Sequence, residues 1–167
     1  MTISCSNPRS SYEAVIFDLD GVVTKTAEVH AAAWKRLFDD FLAARRGGKD
    51  DDRYAPFDIR GDYRRYVDGK PRYDGIESFL DARGISIPYG EPDDGPDKET
   101  VCGLGNRKNR IFHERLSENG VDVFPSTIDL IRSLRSKRIL TGIVSSSKNC
   151  AAVLDAAGIA ELFDVRV

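Results

Sequence analysis

Three scarcities in the sequence narrow the classes of protein that it can encode. Its 167 residues include only three cysteines, Cys5, Cys102 and Cys150, and their spacing matches no metal site, which favours reduced thiols over a disulfide framework. No apolar run approaches the roughly 18 residues of a membrane span, and the polar start MTISCSNPRSS lacks a signal-peptide core. Neither charge is in large excess, because 25 basic and 27 acidic residues leave a net charge of −2. We therefore expect a cytoplasmic protein with no membrane or nucleic-acid partner.

The stretch YEAVIFDLDGVVTKT, residues 12–26, carries the strongest functional pattern. Its apolar run at 14–17 is typical of a strand buried on both faces, and the run ends in Asp18 and Asp20 before Gly21. In open α/β sheets, ligands bind just outside the carboxyl ends of the strands, so both carboxylates are candidate catalytic groups. An ordinary Asp-Gly turn is the alternative. The sequence VVTKTAEVHAAAW that follows favours the catalytic interpretation.

Helical patterns fill the next part of the chain. Thr26 is a plausible N-cap for an amphipathic helix that reaches Arg46. A second helix is predicted with Asp74 as its cap and Glu77 at the box position, and a third over about 106–119. Residues 88–100 are predicted to form a loop because of their proline, glycine and acid content.

After Gly120 the pattern changes to alternating helices and strands, with a buried strand at 139–144 and another strand in the last five residues. We therefore predict an α/β protein with a sheet core and an inserted α-helical cap domain of about 90 residues. The core comprises 12–26 and 120–167, the cap 27–119, and 1–11 form a flexible tail. A two-part molecule of this kind predicts a site between the parts.

The segment VSSSKN follows the second buried strand where it turns into a helix. Hydroxyls, an ammonium group and backbone N–H groups at such a turn form an anion site. Ordinary serine capping with a solvated lysine is the alternative. The candidate phosphate ligands are Ser145, Ser146, Ser147, Lys148 and Asn149.

An apolar strand followed by Asp-x-Asp-Gly resembles the first motif of the haloacid dehalogenase superfamily. The resemblance implies that Asp18 attacks a phosphoryl group and becomes an aspartyl phosphate, while Asp20 transfers the proton. It also implies a Mg²⁺ ion held by the Asp18 carboxylate and the Asp20 main-chain carbonyl. Ser145 matches the second motif of the superfamily, and the resemblance implies a Rossmann-like parallel sheet core, incomplete in this chain, with an inserted α-helical cap domain.

Within that superfamily, the segments DLDGVVTKTAEVHAAAW, GKPRYDG, GNRKN and VSSSKN resemble the β-phosphoglucomutase subfamily. The resemblance implies that Thr26 and His30 lie near the hinge, with His30 influencing Asp20 or the attacking hydroxyl. It implies that Arg72 acts with the second motif on the phosphate that does not react, that Lys108 reaches the reacting side, and that Trp34 serves packing and sugar fit. A surface histidine at position 30 and solvated charges at 72 and 108 are the alternatives.

The sequence departs from the family in one respect. The lysine and the acidic pair that form the third and fourth motifs follow the third core strand, and this chain ends at Val167. We therefore expect an N-terminal portion of such an enzyme or a shortened relative, with few metal ligands and with an exposed sheet edge prone to association.

The leading functional hypothesis is a β-phosphoglucomutase, which interconverts β-glucose 1-phosphate and glucose 6-phosphate. The alternatives are a sugar phosphate phosphatase of the same superfamily and a catalytically incomplete remnant that acts as a binding or regulatory module.

Overall fold

The computed structural model describes residues 12–48, 50–145 and 147–167, and these form two compact units. One unit joins the described residues up to Lys25 with Asp122–Val167, and the other is Thr26–Val121. The finer assignment of a core to 12–26 with 120–167 and a cap to 27–119 stays a prediction.

The regular elements follow in chain order. They are β1 (Ala14–Asp18), α1 (Thr26–Arg46), α2 (Arg72–Ala82), α3 (Val101–Asn119), α4 (Pro125–Ser136), β2 (Leu140–Val144), α5 (Cys150–Ala156) and β3 (Val165–Arg166). Short 3₁₀ turns lie at Asp52–Tyr54 and Ala160–Leu162, and a π-helical turn lies at Tyr63–Val67.

The three strands form a parallel sheet in the order β1-β2-β3. Ile16, Gly142 and Val165 are register partners across the sheet, so they belong to one face, whereas Phe17 and Ile143 belong to the other. Phe17 and Ile143 are buried, but Ile16 is 69% exposed and Val165 is 56% exposed. The prediction that the first strand is buried on both faces is therefore wrong for the described residues, because nothing among them covers the second face.

The helical unit is built on amphipathic α1. Its apolar residues recur at helical spacing and are all buried: Trp34, Leu37, Phe38, Phe41 and Leu42. Arg45 and Arg46 lie in its last turn, where positive charge is favourable. The buried rings of Phe38, Phe57 and Phe79 then contact one another and form an aromatic core.

Two predicted helix starts are wrong. Helix α2 begins at Arg72 after Pro71, and Asp74 lies in its first turn instead of capping it, because the fixed φ of proline already suits a helix start. Helix α3 begins five residues earlier than predicted, at Val101, because the Thr100 side chain accepts a hydrogen bond from the Gly103 N–H.

The predicted fold class is confirmed: a parallel α/β sheet with helices and an inserted helical segment. Among the helices of the described ranges, none is long and apolar enough to cross a membrane.

Candidate functional site

Asp18 is the last residue of β1, at the carboxyl end of the sheet. It pairs in register with Val144, the last residue of β2, so the two segments that follow these strands leave the sheet at the same edge. The Leu19 N–H donates to Asp18 Oδ1 at 2.9 Å. The Leu19 side chain is fully buried, so the exposed Asp18 carboxylate stands on a rigid support.

Asp20 lies in a tight turn that the sequence builds locally. Gly21 adopts a φ of 79°, in the left-handed region where side chains are disfavoured, and its N–H donates to the Thr24 carbonyl at 2.8 Å. Thr24 is fully buried, and its hydroxyl donates to the Leu19 carbonyl at 3.1 Å. This turn holds the half-buried Asp20 two residues beyond Asp18.

The segment after β2 contacts this turn directly. Ser145 Oγ donates to Asp20 Oδ2 at 3.3 Å, and Ser145 Oγ also accepts from the Ser147 N–H at 3.1 Å. Ser147 Oγ accepts from the Asn149 N–H at 3.2 Å, and Lys148 is exposed. The structure thus brings Asp18, Asp20 and the predicted second motif together, while Ser146 lies outside the described residues.

The described serine hydroxyls of this segment form local turns, whereas Asn149 is the N-cap of α5 and makes no side-chain capping hydrogen bond within the described part of the chain. The Ser145 hydroxyl already donates to Asp20, and the hydroxyls of Ser145 and Ser147 accept from local N–H groups. Among the described residues of this segment, an anion would therefore be bound mainly by the Ser147 hydroxyl proton and the Lys148 ammonium group. These groups are donors that suit a phosphate.

The helical unit holds a second group of candidates, His30, Trp34 and Lys108. Lys108 is only 5% exposed, and its Nζ lies 2.7 Å from His30 Nδ1. An ammonium group only donates, so Nδ1 accepts and the neutral His30 ring carries its proton on Nε2. Lys108 Nζ also lies 5.2 Å from the centre of the Trp34 ring and 5.1 Å from that of Phe112. The alternative of a solvated Lys108 is therefore wrong.

Burial sets the protonation state of His30. Its ring stacks on Phe112 with centroids 4.4 Å apart. Desolvation, followed by the positive charge of Lys108, lowers the pKa of His30 to about 3. His30 is therefore neutral at physiological pH, with Nδ1 fixed on Lys108. The alternative of a helix-surface histidine does not describe it.

Arg72, the first residue of α2, presents a different feature. Its Nε is buried and has no hydrogen-bond partner among the described residues. Within the described ranges, its Nη2 makes two long contacts, 3.4 Å to Asn106 Oδ1 and 3.5 Å to Tyr73 Oη. A buried guanidinium donor without a partner is costly, and an anion would satisfy it. Neither Tyr73 nor Asn106 is among the predicted site residues, although Tyr73 is adjacent to Arg72 and Asn106 lies in the segment GNRKN.

Thr26 is fully buried at the first position of α1, and Trp34 is 5% exposed and stacks on Phe38 with centroids 5.4 Å apart. Both Thr26 and Trp34 are therefore packed in the interior of the structure. Their predicted parts at a hinge and in sugar fit stay predictions.

The residues at the carboxyl end of the strand offer oxygen ligands that suit a hard cation, but these ligands are few. Asp18 and Asp20 offer oxygen ligands of the type that Mg²⁺ prefers. Within the described ranges, no group of three or more acidic, histidine or cysteine side chains is arranged to hold a metal. Octahedral coordination would therefore need ligands beyond these two residues.

Comparison with known proteins agrees with this arrangement. A family model described as haloacid dehalogenase-like hydrolase matches residues 12–167. A β-phosphoglucomutase of Mycobacterium bovis is 44% identical over 154 residues, which are 92% of this chain and 58% of that protein. A β-phosphoglucomutase of Bacillus subtilis is 32% identical over 142 residues, 85% of this chain and 54% of that protein.

A solved structure shows the same likeness in three dimensions. The crystal structure of β-phosphoglucomutase from Clostridium difficile has a TM-score of 0.68 and 27% identity, over 93% of this chain and 61% of that chain. This chain thus spans less than two thirds of the length of these relatives. By its sequence match and its fold, the chain belongs to the haloacid dehalogenase-like hydrolase family.

Proposed function

We propose that this chain carries the phosphoryl-transfer residues of a β-phosphoglucomutase, which interconverts β-glucose 1-phosphate and glucose 6-phosphate. The observation that carries the proposal is the in-register pairing of β1 with β2, by which Asp18, Asp20 and Ser145 share one end of the sheet. The 44% identity to a β-phosphoglucomutase supports the choice of substrate.

Asp18 is the proposed nucleophile because its exposed carboxylate ends a strand and is held by the Leu19 N–H. A carboxylate oxygen of Asp18 forms a bond to phosphorus while the bond from phosphorus to the leaving oxygen breaks, which yields an aspartyl phosphate. In the mutase cycle this phosphoryl group passes to the sugar, and a sugar bisphosphate returns the other phosphoryl group to Asp18.

Asp20 is the proposed acid and base. Its protonated carboxyl group donates to the leaving oxygen, and its carboxylate takes the proton from the attacking hydroxyl in the reverse step. Ser145, which donates to Asp20 Oδ2, orients this carboxyl group. Mg²⁺ bound to the Asp18 carboxylate and the Asp20 main-chain carbonyl would screen the repulsion between the nucleophile and the anionic phosphate.

The remaining candidates are proposed as substrate ligands. The second motif, with Ser147, Lys148 and Asn149 and with Ser146 by resemblance, contributes donors to phosphate. Arg72 contributes its Nε–H, which has no hydrogen-bond partner in the described part of the chain. His30 and Lys108 act as one unit, because Lys108 donates to the neutral ring. Thr26 is proposed to lie near the hinge, and Trp34 to support the sugar pocket through the Lys108 contact.

A sugar phosphate phosphatase is the second candidate function, since it uses the same nucleophile and proton donor. It needs only one phosphate site. The buried Nε of Arg72, which lacks a hydrogen-bond partner among the residues that the structure describes, favours the mutase, in which a second phosphate must be held.

The test is replacement of the nucleophile in a chimaera that joins this chain to the part of the 44% identical relative that it does not cover. Asp18→Asn should abolish both mutase turnover and covalent trapping of labelled phosphate from acetyl phosphate, a loss of many orders of magnitude. Asp155→Asn is the matched control, because Asp155 is an exposed carboxylate of the same unit in α5. Label retained by Asp18→Asn, or absent from the unsubstituted chimaera, would contradict the proposal.

A further inference from the structure

Asn106 is the residue that links Arg72 to the rest of the helical unit. Its Oδ1 accepts from Arg72 Nη2 at 3.4 Å and from Tyr73 Oη at 3.3 Å. Its Nδ2 donates to the carbonyls of Pro92 and Asp94 at 3.0 and 2.8 Å. Because carbonyl groups only accept, the amide orientation is fixed by these partners, and all four contacts use one side chain.

The loop whose carbonyl groups accept from Asn106 is itself held by internal hydrogen bonds. We call residues 90–100 the Asp94 loop, since the Asp94 carboxylate is 6% exposed at its centre. It accepts from Lys98 Nζ at 2.5 Å, from Thr100 Oγ1 at 2.6 Å and from the Glu91 N–H at 3.1 Å. The hydrogen bond from Lys98 is the main reason that the pKa of Asp94 falls to about 2, so the carboxylate stays ionised at neutral pH.

The backbone of α3 at Gly105 packs closely against the side chains of Arg72 and Tyr73. A Cβ atom at Gly105 would lie 2.5 Å from the Tyr73 ring and 3.3 Å from Arg72 Nε, so only glycine allows this approach. Arg72 is thus held between the bare backbone of α3 and the amide of Asn106. Its Nε nevertheless has no partner among the described residues.

We propose that Asn106, fixed by the Asp94 loop, is a positioning residue that orients the Arg72 guanidinium to receive the phosphate of a sugar phosphate. The inference rests on the proposed role of Arg72 as a phosphate ligand. Asn106 does not contact the phosphate. It reduces the rotamer freedom that Arg72 would otherwise lose on binding, which strengthens binding without a new contact.

A substitution at Asp94 distinguishes an effect of positioning on phosphate binding from an effect of charge alone. Asp94→Asn removes one negative charge from the unit and weakens the hydrogen bonds that fix the loop. Electrostatics alone predicts equal or tighter binding of an anion, whereas positioning predicts weaker binding. Asp93→Asn is the matched control, because it removes the same charge from the exposed neighbouring side chain and leaves the Asp94 contacts intact.

The measurement is the ¹H–¹⁵N resonance of Arg72 Nε in the 167-residue chain, assigned by its absence from Arg72→Lys and titrated with glucose 6-phosphate. We expect apparent affinity to fall about tenfold in Asp94→Asn and to stay equal or rise in Asp93→Asn. Asn106→Leu, which removes the link itself, should weaken binding at least as much as Asp94→Asn. Far-UV circular dichroism and the fluorescence of Trp34, the single tryptophan, verify that each variant is folded.

The outcomes distinguish the phosphate role of Arg72 from the positioning role of Asn106. If the Arg72 resonance of the wild-type chain does not respond to glucose 6-phosphate, the phosphate role of Arg72 fails and the inference fails with it. If the wild-type resonance responds but folded Asp94→Asn and Asn106→Leu bind as tightly as Asp93→Asn, Arg72 remains a phosphate ligand and the positioning role of Asn106 is overturned.

Discussion

The two units of this chain differ in how they treat apolar surface. The helical unit encloses a core of phenylalanine rings, since Phe38 and Phe79 are fully buried with ring centroids 4.1 Å apart. The α/β unit buries one face of its sheet and leaves Ile16 and Val165 of the other face exposed. The helical unit therefore has a closed core of its own, and the stability of the α/β unit rests on a single covered face.

The same contrast separates the candidate site residues. In the α/β unit they are exposed or half-buried at the ends of strands, as Asp18 and Ser145 show. In the helical unit Thr26, Trp34 and Lys108 are buried, whereas His30 and Arg72 are half-buried. Substitutions in the helical unit should therefore change stability and function together, whereas substitutions at the strand ends should separate them.

The largest stability effect should come from the aromatic core. Phe79→Ala deletes a fully buried ring that contacts Phe38, Phe57 and Tyr66, and it should lower the free energy of unfolding by about 3–5 kcal/mol. Denaturant unfolding followed by the fluorescence of Trp34 measures this in the helical unit.

The matched substitution in the other unit is Val165→Ala on the open face of the sheet. Val165 is 56% exposed. Denaturant unfolding followed by far-UV circular dichroism should therefore show that Val165→Ala changes the free energy of unfolding by less than about 0.5 kcal/mol. Similar losses for the two variants would show that the contrast between the units is wrong.

A smaller effect, dependent on pH, should come from His30. Its pKa is about 3 in the folded chain because of burial and Lys108, against about 6.5 in an unfolded chain. Between these values the unfolded state binds the additional proton. The contribution of His30 to stability is therefore complete above pH 6.5 and is lost as the pH falls, by up to about 1.4 kcal/mol per pH unit.

The test compares unfolding by Trp34 fluorescence between pH 7 and pH 5 in the wild-type chain and in two variants. His30→Gln keeps an acceptor for Lys108 and should flatten the pH dependence. His113→Gln, at the other histidine of the chain, should retain it. Equal slopes in all three proteins would show that His30 does not titrate with a lowered pKa.

The smallest effect on stability is expected from a substitution on the open face of the sheet. Such a substitution should instead change the self-association of the chain. Ile16 is 69% exposed on β1, which is an edge strand of the described sheet. Ile16→Lys should change the free energy of unfolding by no more than about 0.5 kcal/mol. It should also reduce self-association of the 167-residue chain, because charge disfavours edge pairing and apolar contact.

Sedimentation velocity over a range of concentrations measures this association, with Ile16→Leu as the control that keeps the surface apolar. A wild-type chain that stays monomeric at all concentrations would mean that the exposed face does not drive association.

Much of the fold followed from local patterns. The run at 14–17 with its two acids predicted β1 and the site end of the sheet, and the helical spacing of Trp34, Leu37 and Phe41 predicted α1. The helix starts were less predictable. Asp74 with Glu77 imitates a capping box, but Pro71 starts α2. The cap of α3 is Thr100, which the proline and acid content of the loop concealed.

The sequence by itself determined which residues could carry the chemistry, because Asp18 and Asp20 after an apolar strand, and hydroxyls with a lysine after another, are patterns of adjacent residues. Only the tertiary structure decided which of them meet. The parallel register brings Ser145 to Asp20 across 125 positions, and the packing of α1 on α3 brings Lys108 to His30 across 78. Burial then sets the protonation of His30, because desolvation depends on every neighbour that surrounds the ring.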